Sequence, residues 1–361
     1  MRLRRRLLYA AYLLLCAEIA AKLLLLTPWA RARLSSDSAL GWRARWVGRF
    51  LFTDRAIFYG FDDYDPTKGW TLRPGLREER PFRRTTISSN SRGARGPEEP
   101  PLQRRPGRRR VVALGDSFTF GEGVNDGETF PRRLQDLLPD TEVVNLGVHG
   151  YGLDQILVRL REEVPRQHPD VVLLGFFADD AERSLLEFRD YAKPHFVLAD
   201  GRLELRGSPV PPPRSMLWRE ARRSHLYDLL TLPLAQRRFA ARKAAEEAPL
   251  MAALLDQMRR DTEAEGARFA VVDLPPPAEI ALEAAVGPSE RPLLDYAVGR
   301  PVLVCRTRAG LHEQWKAGAP FRLVGHYDAA THAAVAAIVA RCLSEGGLLP
   351  PPAVSTAGSS R

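Results

Sequence analysis

From Val111 onward the chain alternates short apolar runs with amphipathic stripes, and this alternation restricts its fold more than any other feature. Val111-Val112-Ala113-Leu114-Gly115 is an apolar run ending in glycine, as a strand buried on both faces requires. Phe130, Leu134, Leu137 and Leu138 follow at helical spacing, and residues 142–147 read as a second strand. Leu153, Ile156, Leu157, Leu160 and Val164 form another helical stripe, and residues 170–176 a third strand. Strands and helices alternating at this pace predict an α/β fold of three layers, α/β/α, around a central parallel sheet. The pattern breaks at residues 190–245, where Pro211-Pro212-Pro213 stands; this stretch reads as an insertion, a candidate lid. A helix near 248–264, a strand over 269–273 and a last helix carrying Val335, Ile338, Val339 and Cys342 resume it. Residues 346–361, rich in Pro, Ser and Gly, read as a flexible tail.

The start of the chain obeys different rules. After Met1-Arg2-Leu3-Arg4-Arg5-Arg6, residues 7–26 carry only Glu18 and Lys22 as charges, which is the length needed to cross a hydrocarbon core. Glu18 and Lys22 share one helical face and can pair there. A basic start before an apolar run also describes a cleaved signal peptide, with small residues near Ala30 and Ala32 for the cut; the uncleaved anchor over residues 1–27 is the reading adopted here. Arg2, Arg4, Arg5 and Arg6 predict a cytoplasmic amino terminus, hence a single-pass protein of the bacterial inner membrane with its bulk outside the cytoplasm. Residues 28–110 interleave arginines with Trp42, Trp46, Phe50, Phe52, Phe58 and Tyr59, a juxtamembrane segment that lies on the bilayer or packs on the domain after it. The first 110 residues hold 24 Lys+Arg against 10 Asp+Glu, leaving 29 against 34 for the rest. A core with an acidic balance argues against nucleic acid as a partner. Cys16, Cys305 and Cys342 offer no metal-ligand spacing, so the reading calls for no metal and no cofactor. Cys16 reads as a small apolar residue of the span; for Cys305 and Cys342 an extracytoplasmic site permits a disulfide, while their apolar segments make a buried free thiol the commoner state, and the sequence leaves open whether they meet.

Ser117 follows the first core strand directly in Gly115-Asp116-Ser117-Phe118, which puts it at the carboxyl edge of the sheet, where doubly wound folds bind ligands. The stretch does not fit the G-x-S-x-G elbow of the α/β hydrolases. Taken in chain order, Leu114-Gly115-Asp116-Ser117-Phe118-Thr119-Phe120-Gly121, then Asn145-Leu146-Gly147-Val148-His149-Gly150-Tyr151-Gly152, then an acidic pair at a strand end, then His326 before the last helix, the sequence resembles the SGNH, or GDSL-like, hydrolase superfamily. The likeness covers residues 111–345. The lead-in Thr86-Ile87-Ser88-Ser89-Asn90-Ser91-Arg92-Gly93-Ala94-Arg95-Gly96 is similar to that of membrane-anchored bacterial members.

The resemblance implies a flavodoxin-like SGNH fold and a serine acyl-enzyme. Ser117 takes the role of nucleophile and His326 that of base, with the oxyanion held by the N–H groups of Ser117 and Gly150 and by a third side chain at Asp179. Two departures stand out. The family's aspartate two or three residues before the histidine is replaced by Leu323 and Val324, leaving a dyad or an acid borrowed from elsewhere. Asp328 reads as the N-cap of the last helix and as a second candidate for orienting the ring. Asp179 stands where the family has asparagine, and an ionised carboxylate accepts but cannot donate to an oxyanion. His332 reads as a helical residue facing neighbouring structure. The expected function is a serine esterase acting on ester-linked acyl groups, with an O-acetylated envelope or exported polysaccharide as the substrate class. The alternatives are an O-acyltransferase on the same fold and a catalytically impaired binding module.

Overall fold

A computed structural model describes residues 2–34, 39–53, 60–80, 85–138 and 140–351, so Phe58 and Tyr59 lie outside the described residues. The chain opens with α1 (Arg2–Leu26), followed by α2 (Pro28–Arg33), capped by Thr27, and α3 (Ala39–Thr53). An antiparallel hairpin, β1 (Asp62–Asp65) and β2 (Gly69–Leu72), leads to the first core strand, β3 (Arg109–Gly115). Then come α4 (Ser117–Phe120), α5 (Phe130–Leu137), β4 (Thr141–Asn145), α6 (Leu153–Gln167), β5 (Val171–Phe176) and α7 (Asp179–Arg183). Short strands β6 (Phe188–Arg189) and β7 (Tyr191–Ala192), the hairpin β8 (His195–Ala199) and β9 (Arg202–Arg206), and helices α8 (Pro213–Arg222) and α9 (His225–Ala264) follow. The chain closes with β10 (Arg268–Asp273), α10 (Pro277–Ile280), α11 (Arg291–Ala297), β11 (Leu303–Arg306), α12 (Arg308–Lys316) and α13 (Ala329–Glu345).

The central sheet is parallel throughout, in the order β11-β10-β5-β3-β4. The α/β/α reading of the sequence is therefore what the molecule adopts. The chain leaves β3 for β4 on one side and returns to β5 on the other, so the carboxyl end of β3 is the topological switch point. Strand residues alternate between the two faces as the pleat requires. Val112, Leu114, Val172 and Leu174 pack with Ile156 and Leu160 of α6 and Leu254 and Met258 of α9, while Val111, Val171 and Leu173 pack with Phe130 and Leu134 of α5 and Val335 and Val339 of α13.

Four details differ from the sequence reading. The stretch at 190–245 is regular structure, and its second half continues as one 40-residue helix, α9, which places Leu229 and Leu232 beside Leu25 and Leu34. Pro233 and Pro249 lie inside α9, and as helix breakers they disguised its true start. Strand β11 was hidden because its four residues, Leu303-Val304-Cys305-Arg306, are too few to show a period. Residues 346–351 are ordered against the domain, with Leu348 and Leu349 buried, so the start of the expected tail belongs to the core, and residues 352–361 lie outside the described residues. Cys305 and Cys342 form a disulfide with Cα atoms 5.7 Å apart, in place of the commoner free thiols, because β11 and α13 bring together two apolar segments 37 residues apart.

The apolar α1 is long and hydrophobic enough to cross a membrane, and Leu7, Leu8, Leu14 and Leu15 are exposed along it. Part of the described stretch between residues 28 and 110 packs on the core. Trp46 and Trp70 are fully buried in the same cluster as Val112 and Tyr151, and Arg95 N–H donates to the Asn145 carbonyl at 2.9 Å beside β4.

Candidate active site

Ser117 opens α4 at the carboxyl end of β3, with Asp116 as N-cap accepting from the Phe118 N–H at 2.9 Å. The turn needs glycine at position 115, since a Cβ there would lie 2.1 Å from Thr119 Oγ1 and 2.9 Å from the Gly175 carbonyl oxygen. One turn later Gly121, at φ 84°, ends the helix and donates to the Ser117 carbonyl. The turn thereby fixes Ser117 at the edge of the sheet.

The structure brings Ser117 and His326 together: Ser117 Oγ lies 2.9 Å from His326 Nε2, within reach for proton transfer. His326 sits in the loop before α13, its ring against Phe118 at 5.0 Å and its carbonyl held by Arg322 Nη2 at 3.2 Å. Asp328 does not orient it. The Asp328 carboxylate is occupied by Thr331 N and Oγ1, both at 2.8 Å, and by Arg322 N at 2.7 Å, so it serves only as the N-cap of α13. His332 is buried with Nδ1 accepting from the Phe130 N–H at 3.1 Å, and burial pushes its pKa down to about 3.

The carboxylate facing His326 Nδ1 is Glu122, at 3.7 Å and only 14% exposed. The Glu122 N–H donates to the Ser117 carbonyl at 3.0 Å, so the turn that presents the serine also presents this acid. The sequence reading missed it by searching the segment before the histidine. Its position five residues after Ser117, just past a one-turn helix, was the available signal.

Gly150 stands at φ 76°, a conformation that strains any other residue, with the Arg189 guanidinium lying where a Cβ would point. Asn145, first in its motif, ties the loop to α4: its Nδ2 donates to the Thr119 carbonyl at 2.9 Å and its Oδ1 accepts from Gly147 N at 3.0 Å. A Cβ on Gly147 would meet Phe120 N at 2.4 Å, so this glycine permits the close approach of the two motifs.

Asp179 begins α7, its side chain 66% exposed and 3.9 Å from Arg183 Nη2. Partial desolvation pushes its pKa up, Arg183 pulls it down, and the charges of Glu182 and Asp116 push it up further; water screens much of this at so exposed a carboxylate. The neighbouring Asp180 is buried, and burial with the nearby Asp116 raises its pKa well above the ordinary value. Arg183 holds this acidic group together: Nη1 donates to Asp116 Oδ2 and to Asp180 Oδ1, both at 2.7 Å, and to the Tyr151 carbonyl at 3.2 Å. Neither Arg183 nor Arg189 was singled out in the sequence. The spacing of Asp179 and Arg183, four apart on one helical face, was the sign of the first.

A parallel α/β sheet with a serine at its switch point and a histidine at hydrogen-bond distance defines the class of serine hydrolases that work without a G-x-S-x-G elbow. The chain matches the GDSL-like lipase/acylhydrolase family over residues 113–300, and it belongs to that family. His326 lies beyond the matched stretch. Among solved structures, a catalytic mutant of an acetylxylan esterase from Geobacillus stearothermophilus is 18% identical, at TM-score 0.38, with 65% of this chain and 94% of that one covered. The psychrotrophic esterase EstA from a Pseudoalteromonas species, inhibited by monoethylphosphonate, is 14% identical at TM-score 0.39, covering 66% and 98%. A lipolytic protein of the G-D-S-L family from Veillonella parvula is 11% identical at TM-score 0.38, covering 64% and 96%. A search of curated proteins finds no match.

Proposed function

We propose that this protein is a serine esterase that removes ester-linked acyl groups through an acyl-enzyme on Ser117. The observation that carries the reading is the 2.9 Å contact between Ser117 Oγ and His326 Nε2 at the end of β3. Ser117 Oγ attacks the ester carbonyl while its proton passes to His326 Nε2; the tetrahedral oxyanion collapses, and His326 returns the proton to the departing alcohol. Water, deprotonated by His326, then attacks the acyl-enzyme, and His326 returns that proton to Ser117 Oγ as the acid leaves. The N–H groups of Ser117 and Gly150 hold the oxyanion, and Glu122 is the positioning residue that keeps the His326 ring turned toward the serine. Transfer to a sugar hydroxyl uses the same steps, with that hydroxyl in place of water.

The substrate class is an O-acylated envelope or exported polysaccharide, met by a domain outside the cytoplasm. Residues 1–27 anchor it, residues 28–110 join the anchor to the core, and residues 111–345 form the hydrolase domain. The basic residues Arg2, Arg4, Arg5 and Arg6 at the start of α1 and the Cys305–Cys342 disulfide, a bond favoured in oxidising compartments, support this placement.

A second reading, a binding module with a disabled site, is favoured by Asp179, whose charge disfavours a nearby oxyanion. Reaction with a fluorophosphonate probe separates the two. The esterase is labelled and Ser117→Ala is not; absence of labelling in the intact protein from pH 5 to 9 overturns the esterase.

A further inference from the structure

We infer that the corner between α8 and α9 is seated in the outer leaflet of the membrane, a second lipid contact beside the α1 span; this rests on the anchored reading above. The register against α1 carries the inference. Glu18 lies eight residues before Leu26, about 12 Å below the outer end of α1 at 1.5 Å per residue. At that depth Glu18 accepts from Ser224 Oγ at 2.7 Å and from the backbone N–H groups of His225 and Leu226 at 2.8 and 3.2 Å. Lys22 Nζ donates to the Ala221 carbonyl at 2.6 Å. The two charges of the span thus satisfy groups that every helix leaves open, the first N–H groups of α9 and a last carbonyl of α8. Such pairing is what hydrocarbon demands of backbone ends and of ionised side chains alike. If residues 7–26 span the bilayer, a corner bonded to Glu18 is inside it.

The surface of the corner fits that place. Trp218, Tyr227 and Leu230 are 68%, 65% and 73% exposed. Tyr227, Leu230 and Leu234 recur at i, i+3 and i+7, forming one outward stripe of α9, while Leu229 and Leu232 on the other side pack toward α1 and α3. Arg219, Arg222, Arg237 and Arg238 are exposed on the same two helices, with side chains long enough to snorkel toward lipid phosphates. The Asp228 carboxylate, the one acid in the first turn of α9, is neutralised by Arg223 at 2.6 and 2.8 Å.

The test uses the full chain in lipid nanodiscs with Cys16→Ser as background and one environment-sensitive fluorophore at Leu13→Cys, Leu230→Cys or Lys316→Cys. The expected result is loss of emission by spin-labelled lipid at positions 13 and 230 and none at 316. Emission lost at 13 but kept at 230, with the 230 thiol open to aqueous reagent, overturns the corner and leaves the anchor intact. No loss at 13 means that α1 does not span, and the anchored reading fails with the inference. A 230 thiol that resists both lipid quencher and aqueous reagent yet cross-links between copies makes a second chain the occupant, which also overturns it.

Discussion

At the scale of single residues, the sequence already placed Ser117 and His326, because a serine after an apolar strand and a histidine before a helix are local patterns. Glu122 was not legible: its role depends on a one-turn helix folding back under Ser117, which no periodicity records. Replacing Glu122 by Gln is expected to lower kcat at least about tenfold with little change in KM, toward the roughly 10⁴ lost when a protease triad acid is neutralised, and Glu122→Asp should recover part of it. Unchanged kcat in Glu122→Gln would remove Glu122 from the machinery. Asp179→Asn is expected to raise hydrolysis of a small aryl acetate, by about tenfold if one neutral donor is partly restored. The sign follows from charge: the gain should be largest where the native carboxylate, its pKa raised by partial desolvation, is ionised. A slower Asn variant at every pH from 5 to 9 would instead assign Asp179 a supporting role beside Arg183.

At the scale of elements, the fold was readable wherever a strand or helix buried a regular face. It was unreadable where tertiary contacts overrule local rules. Two prolines persist in α9 because its carboxyl-terminal half is held by Leu250, Leu254, Leu255 and Met258 in the core, a contribution no propensity scale contains. The junction of α5 and α13 carries its own pH signature. His332 in α13 stays neutral while accepting from the first turn of α5, and its pKa falls from 6.5 to about 3 on folding. Between those two values the unfolded chain binds the extra proton, so the stability from this contact is complete above pH 6.5 and drains away as pH falls toward 3. One such group contributes a slope of up to about 1.4 kcal/mol per pH unit. His332→Asn keeps an acceptor but cannot take the proton. Urea midpoints between pH 7 and 4 should therefore fall less steeply in the variant than in the native protein, and parallel slopes would contradict the assignment.

At the scale of the whole molecule, the segment before the core reaches the loop that carries Gly150. Arg49 of α3 donates to the Asp190 carbonyl at 2.8 Å and to its Oδ1 at 3.2 Å, Asp190 pairs with Arg189, and Arg189 lies over Gly150. The sequence signalled aromatic and basic residues here but offered two destinations for them, since bilayer and protein surface select the same composition. Topology remains a global property with a global test: a reporter active only in the cytoplasm, fused after residue 345, should be silent, and activity there would invert the orientation.

The long helix α9 also sets a distance. Lys243 pairs with Glu182 of α7, the helix that carries Asp179 and Arg183, and lies 18 residues beyond His225. At 1.5 Å per residue this holds the serine cleft about 27 Å along the helix from the α8–α9 corner. If that corner sits in the bilayer, the proposed esterase site stands clear of the surface as if on a stilt, and the reading predicts esters on molecules passing overhead in place of the acyl chains of its own membrane.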